Sequence, residues 1–185
     1  MIPVEAPQKF PRVEASMTKQ FMLVLLGVAL LGAAGCGRRT KEITSLQRKE
    51  AVSLVSEAEF AMSVRDLPRA EKLLAKVTAL CPDTGEYWIG LGSIRMRMGN
   101  RDGAKAAYES ALLVYQDAAS KEKADGTPVL QQVHALALLG RVDEAKKVVE
   151  KAQKKLPNDR LIREFVQGRQ LDIMLADPVF KEMSL

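Results

Sequence analysis

Between about residue 44 and residue 175 the apolar side chains recur at three- and four-residue intervals, and no stretch alternates singly. That is the 3.6-residue period of amphipathic helices, so the pattern predicts helices throughout and no strands. The stretch EYWIGLGSIRMRMGNRDGAKAAYESALLVY (86–115) carries the clearest signal. Trp88, Leu91, Gly92 and Arg95 fall at i, i+3, i+4 and i+7, one face of a first helix. Gly92 on that face permits a partner helix to come close. Past Gly99, the small–large–small series Ala104, Tyr108 and Ala111 forms the opposing stripe on a second helix.

The pattern repeats. Shifted back from Trp88 to Leu54, it gives Leu54, Ala58, Ala70, Leu74 and Val77, closing at Pro82. The turn there is Arg65-Asp66-Leu67-Pro68, with Pro68 fit for a first helical turn, where its missing N–H costs nothing. Shifted forward from Trp88 to Val129, it gives Val129, Val133, Leu136, Gly140, Ala145, Val149 and Ala152, closing at Pro157. Both flanking copies are degenerate, with Glu57 and Gln132 at the place of Leu91. The forward shift is longer because of QDAASKEKADG (116–126), which either lengthens the second helix of the middle copy or bulges as a loop.

The middle copy resembles a tetratricopeptide repeat, the helix–turn–helix unit whose pattern runs Trp, Leu-Gly, a turn Gly, then Ala, an aromatic and Ala. Seven positions agree in type and spacing together. The expected fold is therefore all-α: a solenoid of about three repeats, near 51–84, 85–118 and 126–159, plus a C-terminal capping helix over 159–175. The first helix is expected to start near Thr44 or Ser45. Asn158 or Asp159 is placed to cap the terminal helix, whose Leu161, Ile162, Phe165 and Val166 cover the bare edge of the stack. Residues 176–185 follow as a tail, with one last turn expected after Asp177-Pro178.

In such arrays the first helices of successive repeats line a concave groove that accepts an extended or helical peptide. By resemblance, that stripe comprises Val52, Val55, Glu59, Met62 and Ser63, then Ile89, Ser93, Met96 and Arg97, then Leu130, His134 and Leu138. It is largely apolar, with Met62 and Met96 offering deformable contacts. Lying one helix face away from Trp88, Leu91 and Gly92, Ile89 and Leu130 are expected to be exposed in the free chain. Relatives that clamp the acidic end of heat-shock chaperones use Lys and Asn where this chain has Val55, Ile89 and Leu130, so that specificity is not expected. The competing use of the stripe is packing against the chain's own capping helix or against a second copy.

Upstream the pattern changes. Phe21–Ala34 (FMLVLLGVALLGAA) is uncharged, preceded by Lys19 and closed by small residues. It falls short of the roughly 20 apolar residues that span a bilayer. It has the build of a secretory signal peptide covering residues 1–35. Ala33-Ala34-Gly35-Cys36 resembles the lipobox of bacterial lipoproteins, which implies that the Cys36 thiol is diacylglycerol-modified and becomes the new N-terminus. The family prefers Leu where this chain has Ala33. Ala33 and Gly35 also suit an ordinary signal peptidase, so Cys36 is the discriminating residue. Met17-Thr18-Lys19-Gln20 is a sufficient basic start, which makes Met17 an alternative initiator to Met1. Residues 36–43 then form the lipidated cysteine and a polar tether. Gly37, where enterobacterial inner-membrane lipoproteins carry Asp, points by resemblance to the outer membrane and the periplasm.

Composition adds exclusions. Removing residues 1–35 takes away Lys9, Arg12, Lys19, Glu5 and Glu14, leaving 25 basic and 21 acidic side chains. That balance, with no basic stripe and few aromatics, does not call for nucleic acid. With Cys36 lipidated, Cys81 has no disulfide partner and reads as a small buried hydrophobe at a helix end. One histidine gives no metal set, GLGSIR (90–95) lacks a third glycine, and no GxSxG occurs. No enzyme, metal or cofactor is expected. What remains is an adaptor that holds a protein or peptide at a membrane. Lipoproteins of this type elsewhere serve barrel assembly, pilus secretin assembly and cell-wall enzyme regulation. The rival is a structural subunit that forms homo-oligomers and binds no peptide.

Overall fold

The computed structural model describes residues 42–121 and 125–185. The expected signal peptide, Cys36 and nearly all of the tether lie outside the described residues. Among those described the chain is helical without strands. The helices are α1 (Ser45–Ser63), α2 (Leu67–Leu80), α3 (Gly85–Arg97), α4 (Arg101–Ser120), α5 (Gly126–Leu138), α6 (Val142–Lys155), α7 (Arg160–Gln167), α8 (Gln170–Ala176) and α9 (Pro178–Met183). Helices α1/α2, α3/α4 and α5/α6 pack as hairpins, and α2 on α3 and α4 on α5 join them into a solenoid.

One turn is built three times. In each hairpin the central turn residue is left-handed: Arg65 (φ 61°), Gly99 (φ 77°) and Gly140 (φ 69°). The next N–H reaches back five residues to close the first helix: Asp66 to Ala61 at 2.8 Å, Asn100 to Arg95 at 2.8 Å, and Arg141 to Leu136 at 2.9 Å. This satisfies carbonyls that a helix end leaves open. Asp66 and Asn100 then cap the second helices by accepting from the N–H groups of Arg69 and Gly103. Thr44 and Gln47 form a capping box at the start of α1.

The same register places small buried residues where helices cross. Ala70, Ala104 and Ala145 are fully buried on the second helices, and Ala58 and Gly92 are buried on the first. A Cβ at Gly92 would overlap the Tyr108 ring, so the close approach requires glycine. Trp88 is half-buried, its indole N–H donating to the Pro82 carbonyl at 2.9 Å. Cys81 is a buried free thiol whose pKa burial pushes up, with Arg48 opposing that shift.

One open alternative is decided and two features differ from the sequence expectation. The extra residues after Tyr115 lengthen α4 to 20 residues, against 14 in α2 and in α6. The single capping helix over 159–175 is two: Asp159 caps α7 through the Ile162 N–H, but the helix stops at Gly168 and Arg169 turns left-handed (φ 49°) before α8. Glycine's poor helix propensity marks the break. Finally, residues 176–185 are no free tail. They form α9, which returns to pack against α3.

Candidate functional site: the concave face

The first helices α1, α3 and α5 present the predicted stripe, and the structure divides it in two. Between α1 and α3 the face is open. Val55, Glu59 and Met62 from α1 meet Glu86, Tyr87, Gly90, Ser93, Ile94 and Arg97 from α3, with Leu74 behind them, around a cavity of about 300 Å³. Val55, Met62 and Ser93 are half-buried, while Glu59 and Arg97 are exposed and bring opposite charges to its lining. Val52 and Ser63 are exposed at the rim and are not among the cavity's lining residues.

Between α3 and α5 the face is occupied. Asp177 accepts from the N–H groups of Val179 (2.7 Å) and Phe180 (3.2 Å), and Pro178 fills the first position of α9. The cap directs Phe180 inward, where it is 6% exposed and its ring lies 5.8 Å from that of His134. Ile89, Met96, Leu138, Met183 and Leu185 belong to the same apolar cluster. The Tyr108 hydroxyl donates to the Met183 carbonyl at 2.7 Å, and the Leu185 N–H donates to the Leu138 carbonyl at 2.9 Å. The C-terminal end of α9 is thus held by two hydrogen bonds and its middle by the buried Phe180.

This occupancy corrects the exposure expected of Ile89, and Leu130, expected to be exposed as well, is half-buried outside that cluster. Leu138 is buried, while Ile89, Met96, Leu130 and His134 are half-buried. Burial alone holds the His134 imidazole below its ordinary pKa. Burial raises the pKa of Tyr108, with Ser93 nearby opposing it, and raises that of Tyr115 further, with Glu86 adding to the rise. The neutral phenol of Tyr108 is therefore the donor.

Glu86, Tyr87, Gly90 and Ile94 in the open half, and Phe180 and Met183 in the occupied half, are site residues that the predicted stripe did not supply. For Phe180 and Met183 the signal was local: an Asp-Pro cap followed by apolar residues at helical spacing. Among the described residues no cluster of three metal-ligating side chains occurs, and no helix is long and apolar enough to cross a membrane. The open half of the face offers an apolar cavity with Glu59 and Arg97 at its lining.

Comparison with known proteins agrees with the geometry. A tetratricopeptide repeat family model matches residues 85–117, the α3–α4 hairpin. No curated protein matches the chain. The chain therefore carries a tetratricopeptide repeat within an all-α solenoid, a module of protein–protein interaction.

Proposed function

We propose that this chain is a lipid-anchored adaptor of a bacterial envelope, holding a peptide segment of a partner protein in its concave face. The observation that carries the reading is the open cavity between α1 and α3. It sits at the first-helix face of a recognised interaction repeat and mixes apolar walls with Glu59 and Arg97 at its edge. An apolar side chain of the partner fills it, and the flanking charges fix orientation. The lipid anchor is read from the sequence: Cys36 follows an apolar run and small residues. Gly37 favours the outer membrane, and the domain then faces the periplasm. Assembly of pili or secretins fits a small lipoprotein with few repeats.

Variants test this reading. Val55→Glu and Met62→Glu should lose partner capture while circular dichroism stays helical and the melting temperature falls only in part, since each side chain lies between the open cavity and the core it packs against. Retained capture in both variants overturns it.

A second reading has its own observation. Leu46, Phe60 and Val64 are 72%, 61% and 57% exposed. Separations of 14 and 4 residues put Leu46 and Phe60 on one side of α1, with Val64 on that same side at its C-cap. That strip suits self-association into a structural layer. Light scattering on the chain, with Phe60→Lys as control, distinguishes the two: a stable oligomer abolished by Phe60→Lys favours the layer.

A further inference from the structure

The segment Asp177–Leu185 makes three kinds of contact with the concave face, and each is one that a bound peptide would make. An aromatic anchor is buried, with Phe180 against His134. A groove side chain takes a backbone carbonyl, Tyr108 to Met183 at 2.7 Å. Backbone meets backbone at the far end, Leu185 to Leu138 at 2.9 Å. Val179, Lys181 and Glu182 point the other way and are exposed. At six residues α9 is far below the length at which a helix is stable in water, so its helicity depends on this docking.

We propose that the face between α3 and α5 is a receptor site for a short amphipathic helix with an aromatic anchor, and that residues 177–185 occupy it in cis. A partner segment of that kind enters by displacing them. The inference rests on the adaptor reading of the concave face and specifies its ligand and its regulation. A tethered segment competes at an effective concentration near the millimolar range. If the free site is one-tenth populated or less, the apparent affinity for a segment in trans drops at least about tenfold.

The probe is a fluorescein-labelled peptide of residues 176–185, titrated by anisotropy into the detergent-solubilised full chain and three variants. Phe180→Asp expels the anchor. Tyr108→Phe removes one hydrogen bond while leaving the ring on Gly92, and it serves where Phe180→Asp melts early. Ile89→Glu in either opened background blocks the site. The expected result is peptide binding to Phe180→Asp at least about tenfold tighter than to the parent, Tyr108→Phe in between, and none with Ile89→Glu. Equal binding to parent and opened chains, or no binding to either opened chain, overturns the proposal. Light scattering of the parent should give a monomer; a dimer that Phe180→Asp dissolves would mean the segment docks on a second copy, which overturns docking in cis. Partner capture through Val55 and Met62 is scored separately. If it persists while the peptide binds nothing, this inference falls and the adaptor reading stands.

Discussion

The Tyr108 hydroxyl donates to the carbonyl of Met183 at 2.7 Å, joining residues 75 apart in sequence. Tyr108 stands at the aromatic position of the repeat pattern, and its ring already packs on Gly92. One side chain therefore locks a hairpin and holds the segment that fills the groove beyond it.

The left-handed turns should separate conformational cost from steric cost. A Cβ at Gly99 meets nothing within 4 Å, so Gly99→Ala should lose about 1–2 kcal/mol from backbone strain alone. Gly92→Ala forces the Tyr108 ring to move and should lose about 1–3 kcal/mol by overpacking, and more if the hydrogen bond to Met183 breaks. Arg65 holds the same left-handed turn without being glycine, so Arg65→Gly should be neutral or stabilising by up to about 1 kcal/mol. Urea denaturation checks all three. A loss on Arg65→Gly similar to that on Gly99→Ala would contradict the shared turn.

Stability should also depend on His134. Burial lowers its pKa in the folded chain, so the unfolded chain binds the proton more readily. Stability is then full above the ordinary value near 6.5 and declines as pH falls through it toward the folded value. Asp83 and Glu144, lowered chiefly by hydrogen bonds from Arg48 and Arg141, and Asp159, lowered by backbone N–H groups, lose stabilisation only below about pH 4. Melts at pH 7.5 and 5.5 should differ in the parent, and the difference should shrink in His134→Leu. An unchanged difference would assign it elsewhere.

The two halves of the groove should respond differently to charge. Ile89 lies in the cluster that Phe180 closes, so Ile89→Glu should destabilise by about 1–3 kcal/mol through burial of a polar group. Met62 packs at the edge of the α1–α2 core with one side on the open cavity, so Met62→Glu should cost less than Ile89→Glu. Thermal melts of the pair decide it, and similar losses at both would mean the open half is closed in solution.

The anchor is tested at Cys36. Cys36→Ser should move the protein to the soluble fraction or leave its precursor uncut, since acyl chains contribute about 0.8 kcal/mol per buried CH₂ to membrane affinity. Mass spectrometry of the mature N-terminus should show the acylated cysteine. An unmodified Cys36 there contradicts the lipid anchor.

The repeat was legible because its cause is local: small residues at the crossings and a left-handed turn residue recur at a fixed register. The first copy looked weak for a physical reason. Leu91 is buried in a cluster with Leu73 and Leu74 of α2, whereas Glu57 is exposed on α1, the first helix among the described residues. Register therefore carried more information than residue identity. The candidate site was half legible. The stripe from Val55 to Leu138 could be placed by resemblance to the repeat, but its occupancy by Phe180 depends on a contact between the last residues and helices far upstream. Periodicity does not encode that contact, and the αL break at Arg169 that begins the return carries no proline and only one glycine beside it.

The most direct test of the peptide-holding concave face is site-specific photocrosslinking in living cells. A benzoylphenylalanine replaces Met62 in the open cavity, or Lys105 on the exposed surface of α4. The expected result is a discrete adduct at position 62, mapped by mass spectrometry to one short segment of one partner, and none at position 105. No adduct at 62, or the same adducts at both positions, would contradict the account.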